Sequence, residues 1–153
     1  MVSYFQEPFD DVISDIEPLL QRHWEEIALN KDVVSFVPDY DQYKRLEDRG
    51  VLRIFTARND GALVGYAIYF VSPNAHYSKD LWGVSDIIWV APEHRHSLVG
   101  HFLLRFVEEQ LTLEGVSVMS TMTKIGHPAL AVLLEKLDHR PVETIYSKLL
   151  KGK

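Results

Sequence analysis

The chain has 153 residues, a net charge of −6 and no cysteine, with 46% hydrophobic and 25% charged residues. This is the make-up of one globular domain, and it excludes disulfides, thiolate metal sites and cysteine nucleophiles. We expect a cytoplasmic protein without membrane or nucleic-acid partners. No apolar run approaches the roughly 20 residues of a membrane span, the first ten residues do not resemble a signal peptide, and an acidic chain binds phosphates poorly.

The predicted elements mix helices and strands. Apolar residues recur at helical spacing in some segments and in β-rich runs in others. Pro18 is expected to break or kink the first helix, and Asn59-Asp60-Gly61 is a strong hairpin signal. The order predicts a mixed α/β domain with a central β-α-β unit. In chain order we predict a helix over 11–29, a helix over Tyr40–Asp48, strands Val51–Arg58 and Ala62–Val71, a loop over 72–82, strand Val84–Val90, a helix over 97–113, strand Val116–Thr123, helix Pro128–Leu137 and strand Val142–Leu150.

The segment from Asp86 to Leu104 carries the clearest functional signal. A buried strand ends at Pro92, a polar loop follows, and a helix opens near Ser97, a good N-cap residue. Free first-turn amides and the helix dipole suit an anion such as a pyrophosphate, with Arg95 at the rim and Gly100 allowing close approach. A plain strand-loop-helix corner explains the same spacing equally well.

This segment resembles the cofactor loop of the GNAT acetyltransferases, Gln/Arg-x-x-Gly-x-Gly/Ala after a strand and a Val-x-Pro segment. Here Val90-Ala91-Pro92 precedes Arg95-His96-Ser97-Leu98-Val99-Gly100, and Leu98 replaces the first glycine. Residues 135–141 are similar to the family's Glu-Lys-Leu-Gly-Phe-x-Pro turn, with Asp138 and His139 replacing Gly-Phe. The resemblance covers nearly the whole chain. It implies one GNAT-like domain over residues 1–153, with an α/β fold of a central, mixed, mostly antiparallel sheet and about four helices.

The resemblance also implies a cofactor, acetyl-CoA, between the strands that contain residues 84–90 and 116–123. Its pantetheine would pair with the backbone from Ile88 to Val90, and its pyrophosphate would lie on the amides from His96 to Gly100. His127 stands where the family often has an asparagine that contacts the cofactor, although a helix cap is an equal alternative. The residues assigned to the cofactor are Ile88, Trp89, Val90, Arg95, His96, Ser97, Leu98, Val99, Gly100 and His127.

The family reaction is attack of a neutral amine on a thioester, which needs a base and often an acid for the departing thiolate. Asp86 aligns with a strand position where several members carry a catalytic glutamate. It is expected on the same face of the strand as Val90, and a role in capping the strand is an equal alternative. The family's tyrosine acid is replaced by Leu134, which leaves Tyr77 and Tyr146 as substitutes, although a packed aromatic is the commoner role for each.

The acceptor cleft is expected between the first helix and the loop that precedes strand Val84–Val90. His76 and Tyr77 lie in that loop, and His23 and Glu26 are predicted to line the other wall, with a solvated helix face as the alternative. The same segments are similar to acetyltransferase-like proteins of tailed bacteriophages.

The prediction is an N-acetyltransferase that uses acetyl-CoA and a primary amine of a small molecule or protein, with a homodimer as in other members. The alternative is a catalytically degenerate GNAT fold that serves as a binding module, because Leu98, Leu134 and Asp138-His139 depart from the family pattern. His94, His96 and His101 suggest a metal by their spacing, but the first two occupy the expected anion loop, so no metal is predicted.

Overall fold

The computed structural model describes residues 1–151, which form five strands and four α-helices. None of these helices combines the length and apolarity of a membrane span. The elements are β1 (Val2–Gln6), α1 (Phe9–Ile27), α2 (Tyr40–Asp48), β2 (Leu52–Asn59), β3 (Ala62–Pro73), β4 (Leu81–Val90), a short 3₁₀ helix (Pro92–His94), α3 (Val99–Leu113), β5 (Val116–Ser120) and α4 (Ala129–Lys136).

The strands form one sheet in the order β1-β2-β3-β4-β5. The first three pairings are antiparallel. Strands β4 and β5, which α3 connects, pair in parallel. The turn between β2 and β3 has positive φ at Asp60 (49°) and Gly61 (88°), as a two-residue hairpin turn of the primed type requires. The predicted hairpin and the mixed, mostly antiparallel sheet are confirmed.

Helices cover both faces of the sheet. The apolar stripe of α1, which includes Val12 and Ile16, packs with α2 on the face that carries Tyr66 and Trp89. On the other face the stripe of α3, with Leu103 and others, packs on side chains of β2 and β3. Helices α1 and α3 each bury one apolar side and leave the other in water, as an amphipathic pattern predicts.

Two expectations differ from the structure, and one strand was missed. Pro18 does not break the first helix, which runs from Phe9 to Ile27 with Pro18 on its exposed side and an unbroken buried stripe. The first strand, β1, was not predicted, although it pairs with β2 along its whole length. The predicted last strand, Val142–Leu150, forms no regular structure and makes no hydrogen bond to the rest of the described chain.

Helix α4 ends in a Schellman motif. The amide of Asp138 donates to Glu135 O at 3.1 Å, and the amide of His139 donates to Leu134 O at 3.0 Å. Asp138 has φ of 65°, the left-handed conformation that favours glycine. The aspartate therefore keeps the backbone conformation that a glycine adopts readily at this turn.

Candidate functional site

A gap opens in the sheet where β4 and β5 separate. Parallel pairing joins Leu81–Val84 to β5 and stops there. The rest of β4, Ser85–Val90, has β3 on one side and no strand on the other. The second half of β4 therefore presents an unpaired backbone edge to the gap.

Two side-chain contacts hold the chain at the point of separation. Ser85 Oγ accepts a hydrogen bond from the amide of Met122 at 2.8 Å. Tyr69 Oη lies 2.8 Å from Thr121 Oγ1, and both Ser85 and Tyr69 are buried. These contacts attach the segment that leaves β5 to β3 and β4, which fixes the narrow end of the gap.

The backbone of Ile88 and Val90 faces this gap. The amide of Ala91 donates to Val64 O at 2.9 Å, so the backbone of Ala91 points toward β3. In an antiparallel ladder the backbone groups of successive residues point to opposite sides, so those of Val90 and Ile88 point away from β3. Val90 O accepts from Nε of Arg95 at 2.8 Å. The N–H and C=O of Ile88 and the N–H of Val90 are thus the groups available to pair with an extended, amide-bearing ligand.

Asp86 is the extra residue of a β-bulge. In the register of β3 and β4, Ile87 pairs with Ile68 and Ser85 pairs with Tyr69, so Asp86 has no partner. The bulge shifts the alternation of side chains by one residue. As a result Asp86 and Ile87 both lie on the face that α1 and α2 cover.

The sequence placed Asp86 on the face of Val90, and the bulge makes that expectation wrong. Instead Asp86 contacts α2, where Tyr43 Oη donates a hydrogen bond to Asp86 Oδ2 at 2.5 Å. Burial raises the pKa of Asp86, and the Tyr43 hydrogen bond acts in the opposite direction. Burial and the carboxylate raise the pKa of Tyr43. Sequence reasoning missed Tyr43, since nothing local links two residues 43 positions apart.

A cluster of buried polar groups lies further along the same face. His23 of α1 packs against Tyr66 and Trp89, with ring centroids 6.5 and 6.4 Å away. Neither Tyr66 Oη nor Trp89 Nε1 has a hydrogen-bond partner within the described residues. Burial lowers the pKa of His23 to about 4, so the ring is neutral at pH 7.

Arg95 joins the loop after β4 to α1. Its guanidinium binds both carboxylate oxygens of Glu26, at 2.6 and 2.7 Å, and lies over the Trp89 ring. The hydrogen bond from Arg95 lowers the pKa of Glu26. Arg22 and Glu93 form a second ion pair between the same two elements at 3.4 Å. The guanidinium expected at the rim of an anion site is therefore engaged by α1.

The start of α3 differs from the sequence prediction by one residue. Leu98, not Ser97, is the N-cap, and Ser97 Oγ accepts from the amide of Val99 at 3.3 Å. The first intrahelical bond runs from Phe102 to Leu98, which leaves the amides of Gly100 and of the residue after it for an anion. Leu98 is 63% exposed and lines a groove of about 470 Å³ between β1 and α3.

Gly100 has a packing role beside any binding role. A β-carbon at this position would lie 3.4 Å from Leu133 Cδ2 and 3.7 Å from Val90 Cγ2, so the bare α-carbon faces α4 and β4. His96, the other loop residue assigned to the cofactor, is exposed.

The predicted acceptor residues form two separate groups. His23 and Glu26 lie near Arg95. His127, which the resemblance assigns to the cofactor, is close enough to contribute to the lowered pKa of His23. Tyr77 stacks on Trp82 at the beginning of β4, with ring centroids 5.8 Å apart, and His76 is exposed beside it. At about 3.3 Å per residue the two groups lie roughly 20 Å apart along β4.

Neither tyrosine considered as a substitute for the family's acid is enclosed in a site. Tyr77 and Tyr146 are both exposed, and Leu134, which replaces the family's tyrosine, is buried. The tyrosine hydroxyl that lies at Asp86 is that of Tyr43. Within residues 1–151 no three histidine or carboxylate side chains are grouped to hold a metal.

Comparison with known proteins adds a family and a fold. The sequence model described as "Acetyltransferase (GNAT) family" matches residues 13–138. No curated protein gives a significant match. Similar solved structures include ribosomal-protein-alanine N-acetyltransferase from Brucella melitensis biovar Abortus 2308, with 19% identity, a TM-score of 0.74, and coverage of 98% of this chain and 99% of that one.

Two further structures are similar at lower identity. An aminoglycoside acetyltransferase from an uncultured soil metagenomic sample has 12% identity and a TM-score of 0.78, and 99% of this chain and 97% of that one are covered. Glucosamine-6-phosphate N-acetyltransferase from Arabidopsis thaliana has 13% identity and a TM-score of 0.74, with 99% of each chain covered. These likenesses show a shared fold. The likeness to phage proteins stays a prediction.

Proposed function

The chain belongs to the GNAT acetyltransferase family, and we propose that it transfers an acetyl group from acetyl-CoA to a primary amine. The observation that carries this proposal is the bulge of β4. It presents a half-buried carboxylate, Asp86, on one face, next to the unpaired backbone of Ile88 at the edge of the gap. A base and a binding edge for an acyl donor are thus only two residues apart.

Acetyl-CoA would supply an activated acyl thioester. The unpaired groups of Ile88 and the N–H of Val90 suit the amides of its pantetheine arm, which supports the fit. The amides of Gly100 and its neighbour at the start of α3 suit its pyrophosphate. Arg95 would act indirectly, because its guanidinium holds Val90 O and Glu26 and so shapes the loop.

Asp86 would accept the proton of the acceptor ammonium, directly or through one water, so that a neutral amine attacks the thioester carbonyl. Tyr43 holds Oδ2, which leaves Oδ1 for this role. Burial raises the pKa of Asp86, which makes the carboxylate a better base, and the hydrogen bond from Tyr43 lowers that pKa and so favours the ionised form. The Ile88 N–H faces the gap and could polarise the carbonyl.

The family's tyrosine acid is replaced by Leu134, so that position would supply no proton to the departing thiolate. A thiol with a pKa near ~8.5 leaves tolerably as an anion. A positioned acid typically contributes ~10²–10⁴ in rate, so slower turnover is expected than with the acid in place. The acceptor would be cationic, in keeping with the net charge of −6. A small-molecule amine or a protein amine would satisfy this chemistry.

The test begins with calorimetric titration of the protein with acetyl-CoA and with CoA, followed by assay of CoA thiol release against a panel of amines. Asp86→Asn is expected to lower kcat by ~10²–10⁴ and to leave the Kd for acetyl-CoA nearly unchanged. Asp80→Asn, which changes an exposed carboxylate in the loop before β4, is the matched control and should behave as the wild type.

Two results would count against the proposal. Unchanged turnover in Asp86→Asn would remove the base assignment. Absence of any binding of acetyl-CoA would favour the alternative, a GNAT fold that serves as a binding module without catalysis, for which the loss of the tyrosine acid is the supporting observation.

A further inference from the structure

Two buried polar groups on the sheet face that α1 covers have no hydrogen-bond partner within residues 1–151. They are the hydroxyl of Tyr66 and the indole N–H of Trp89. Tyr66 is fully buried, and Trp89 is 3% exposed. Buried polar groups in folded proteins nearly always have a hydrogen-bond partner, so an unpaired pair of donors beside a proposed active site points to a ligand.

The two groups lie beside the proposed base. Tyr66 of β3 and Trp89 of β4 are paired residues, and His23 packs on both rings. Burial and the Asp86 carboxylate raise the pKa of Tyr43, and Tyr66 is close enough to add to this rise. Asp86 and Trp89 are separated by three steps along β4, which corresponds to about 10 Å. A ligand with one end at Asp86 can therefore place its other end at the cluster of His23, Tyr66 and Trp89.

This cluster offers mainly hydrogen-bond donors. The Trp89 N–H can only donate, and the tyrosine hydroxyl and a neutral imidazole each supply one donor. His23 is neutral at pH 7, because burial lowers its pKa to about 4. The hydrogen bond from Arg95 lowers the pKa of Glu26, and the nearby Trp89 N–H adds to this effect without forming a hydrogen bond of good geometry. Arg95 already binds both oxygens of Glu26, so the donors of the cluster remain available to a ligand.

Cations gather around the same cluster. The guanidinium carbons of Arg22 and Arg95 lie 5.7 and 6.0 Å from the centroid of the Trp89 ring. Burial is the main cause of the lowered pKa of His23, and Lys124, from the segment after β5, is close enough to add to it. The two carboxylates nearby are each bound by one of the two arginines. The local charge therefore favours an anionic group, although the chain as a whole has a net charge of −6.

We propose that the cluster of His23, Tyr66 and Trp89 binds a carboxylate of the acceptor, and that the acceptor is an ω-amino acid or the side-chain amine of a diamino acid. This inference rests on the proposed function and names the substrate class of its acceptor site. The carboxylate receives hydrogen bonds from Tyr66 and Trp89, and the ammonium group lies at Asp86. His23 is the most exposed member of the cluster, at 8%, and its ring turns aside to admit the carboxylate.

The length of such a ligand fits the spacing along β4. An amine and a carboxyl carbon joined by five methylene groups lie about 7 Å apart when extended, from bond lengths near 1.5 Å. The side chains at the two ends span the rest of the distance. An α-amino group lies too close to its own carboxylate to reach Asp86 from the cluster.

Three primary amines test the proposal in an assay of CoA thiol release: 6-aminohexanoate, 6-aminohexanamide and pentylamine. Hydrogen bonds to a charged group are stronger than those to a neutral one, so kcat/KM for 6-aminohexanoate should exceed that for pentylamine by about tenfold or more, mainly through a lower KM. Glycine should be a poor substrate. Equal values for 6-aminohexanoate and pentylamine would overturn the carboxylate site and leave acetyl transfer standing. Equal values for the acid and the amide would show that no carboxylate is recognised, which would also overturn the proposal.

Tyr66→Phe removes one donor and keeps the ring. The ratio of kcat/KM for 6-aminohexanoate to that for pentylamine should fall by about tenfold, and Trp89→Phe, which removes the other donor, should also lower it. Tyr40→Phe, on α2, is the matched control and should keep the wild-type ratio. Because the Tyr66 hydroxyl has no partner in the free protein, Tyr66→Phe should unfold at no lower urea concentration than the wild type. A loss of stability with an unchanged ratio would show that the hydroxyl only supports the fold, and would overturn the proposal.

Calorimetric titration with 6-aminohexanoate in the presence of CoA separates this proposal from the proposed reaction. Binding that is weakened by Tyr66→Phe would support the carboxylate site even if no amine were acetylated. Absence of binding to the CoA-loaded wild type would overturn the site, whether or not other amines are acetylated.

Discussion

His23 is expected to make the folded protein lose stability as the pH falls from about 6.5 to about 4. The side chain is 8% exposed, and burial lowers its pKa to about 4 from an ordinary value of 6.5. Between these values the unfolded chain binds a proton that the folded chain does not bind, so the stabilisation present above pH 6.5 is lost on acidification. Uptake of one proton on unfolding changes the free energy of unfolding by about 1.4 kcal/mol per pH unit. The expected loss of stability is therefore about 2 kcal/mol at pH 5 and about 3 kcal/mol at pH 4.

The measurement is the free energy of unfolding by urea, at neutral pH and at about pH 5, for the wild type and His23→Gln. Glutamine does not titrate, so packing differences appear equally at both pH values and cancel. Between neutral pH and pH 5, the free energy of unfolding of the wild type should fall by about 2 kcal/mol more than that of the variant. His76→Gln, at an exposed histidine, should follow the wild type. A wild-type-to-variant difference that does not change with pH would refute the reasoning.

Two further variants test local contacts. Tyr43→Phe removes the hydrogen-bond donor that lowers the pKa of Asp86, so the acid limb of the pH profile of kcat/KM should move to higher pH. Tyr40→Phe on the same helix is the control, and an acid limb that does not move would show that Tyr43 does not influence Asp86. Asp138→Gly relieves the left-handed backbone at φ of 65° and should raise the free energy of unfolding by about 1 kcal/mol, measured in urea; a decrease would mean that the aspartate side chain stabilises the turn.

Local signals in the sequence predicted the elements well. The hairpin follows from Asn59-Asp60-Gly61, whose residues tolerate positive φ, and the bounds of α2 are confirmed at both ends. The N-cap of α2 is Asp39, which accepts from the amide of Gln42 at 2.8 Å. Such features depend on a few neighbouring residues, which is why a single sequence reveals them.

The site depends on contacts between distant residues, and there the sequence was insufficient. No local pattern marks a bulge at Asp86, yet the bulge decides which face receives the carboxylate. Arg95 and Glu26 are 69 positions apart, so the sequence does not reveal their ion pair. For this reason Arg95 was expected to be available to an anion, whereas in the structure it binds Glu26. The predicted strand Val142–Leu150 has the right alternation, but a strand also needs a partner edge, and composition does not reveal where that edge is.

The departures from the family pattern affect the site unequally. Asp138 keeps the left-handed turn after α4, and Leu98 lines the groove beside β1, so neither change disrupts the backbone that surrounds the gap. Leu134 is different, since a buried leucine removes the only hydroxyl that the family pattern places there. For the proposed reaction, the backbone edge that would bind the acyl donor is therefore unchanged, and a side-chain acid at position 134 is missing. The proposed reaction rests on Asp86 and on the ease with which a thiolate leaves. Turnover should therefore increase with the basicity of the attacking amine only while Asp86 can still deprotonate it.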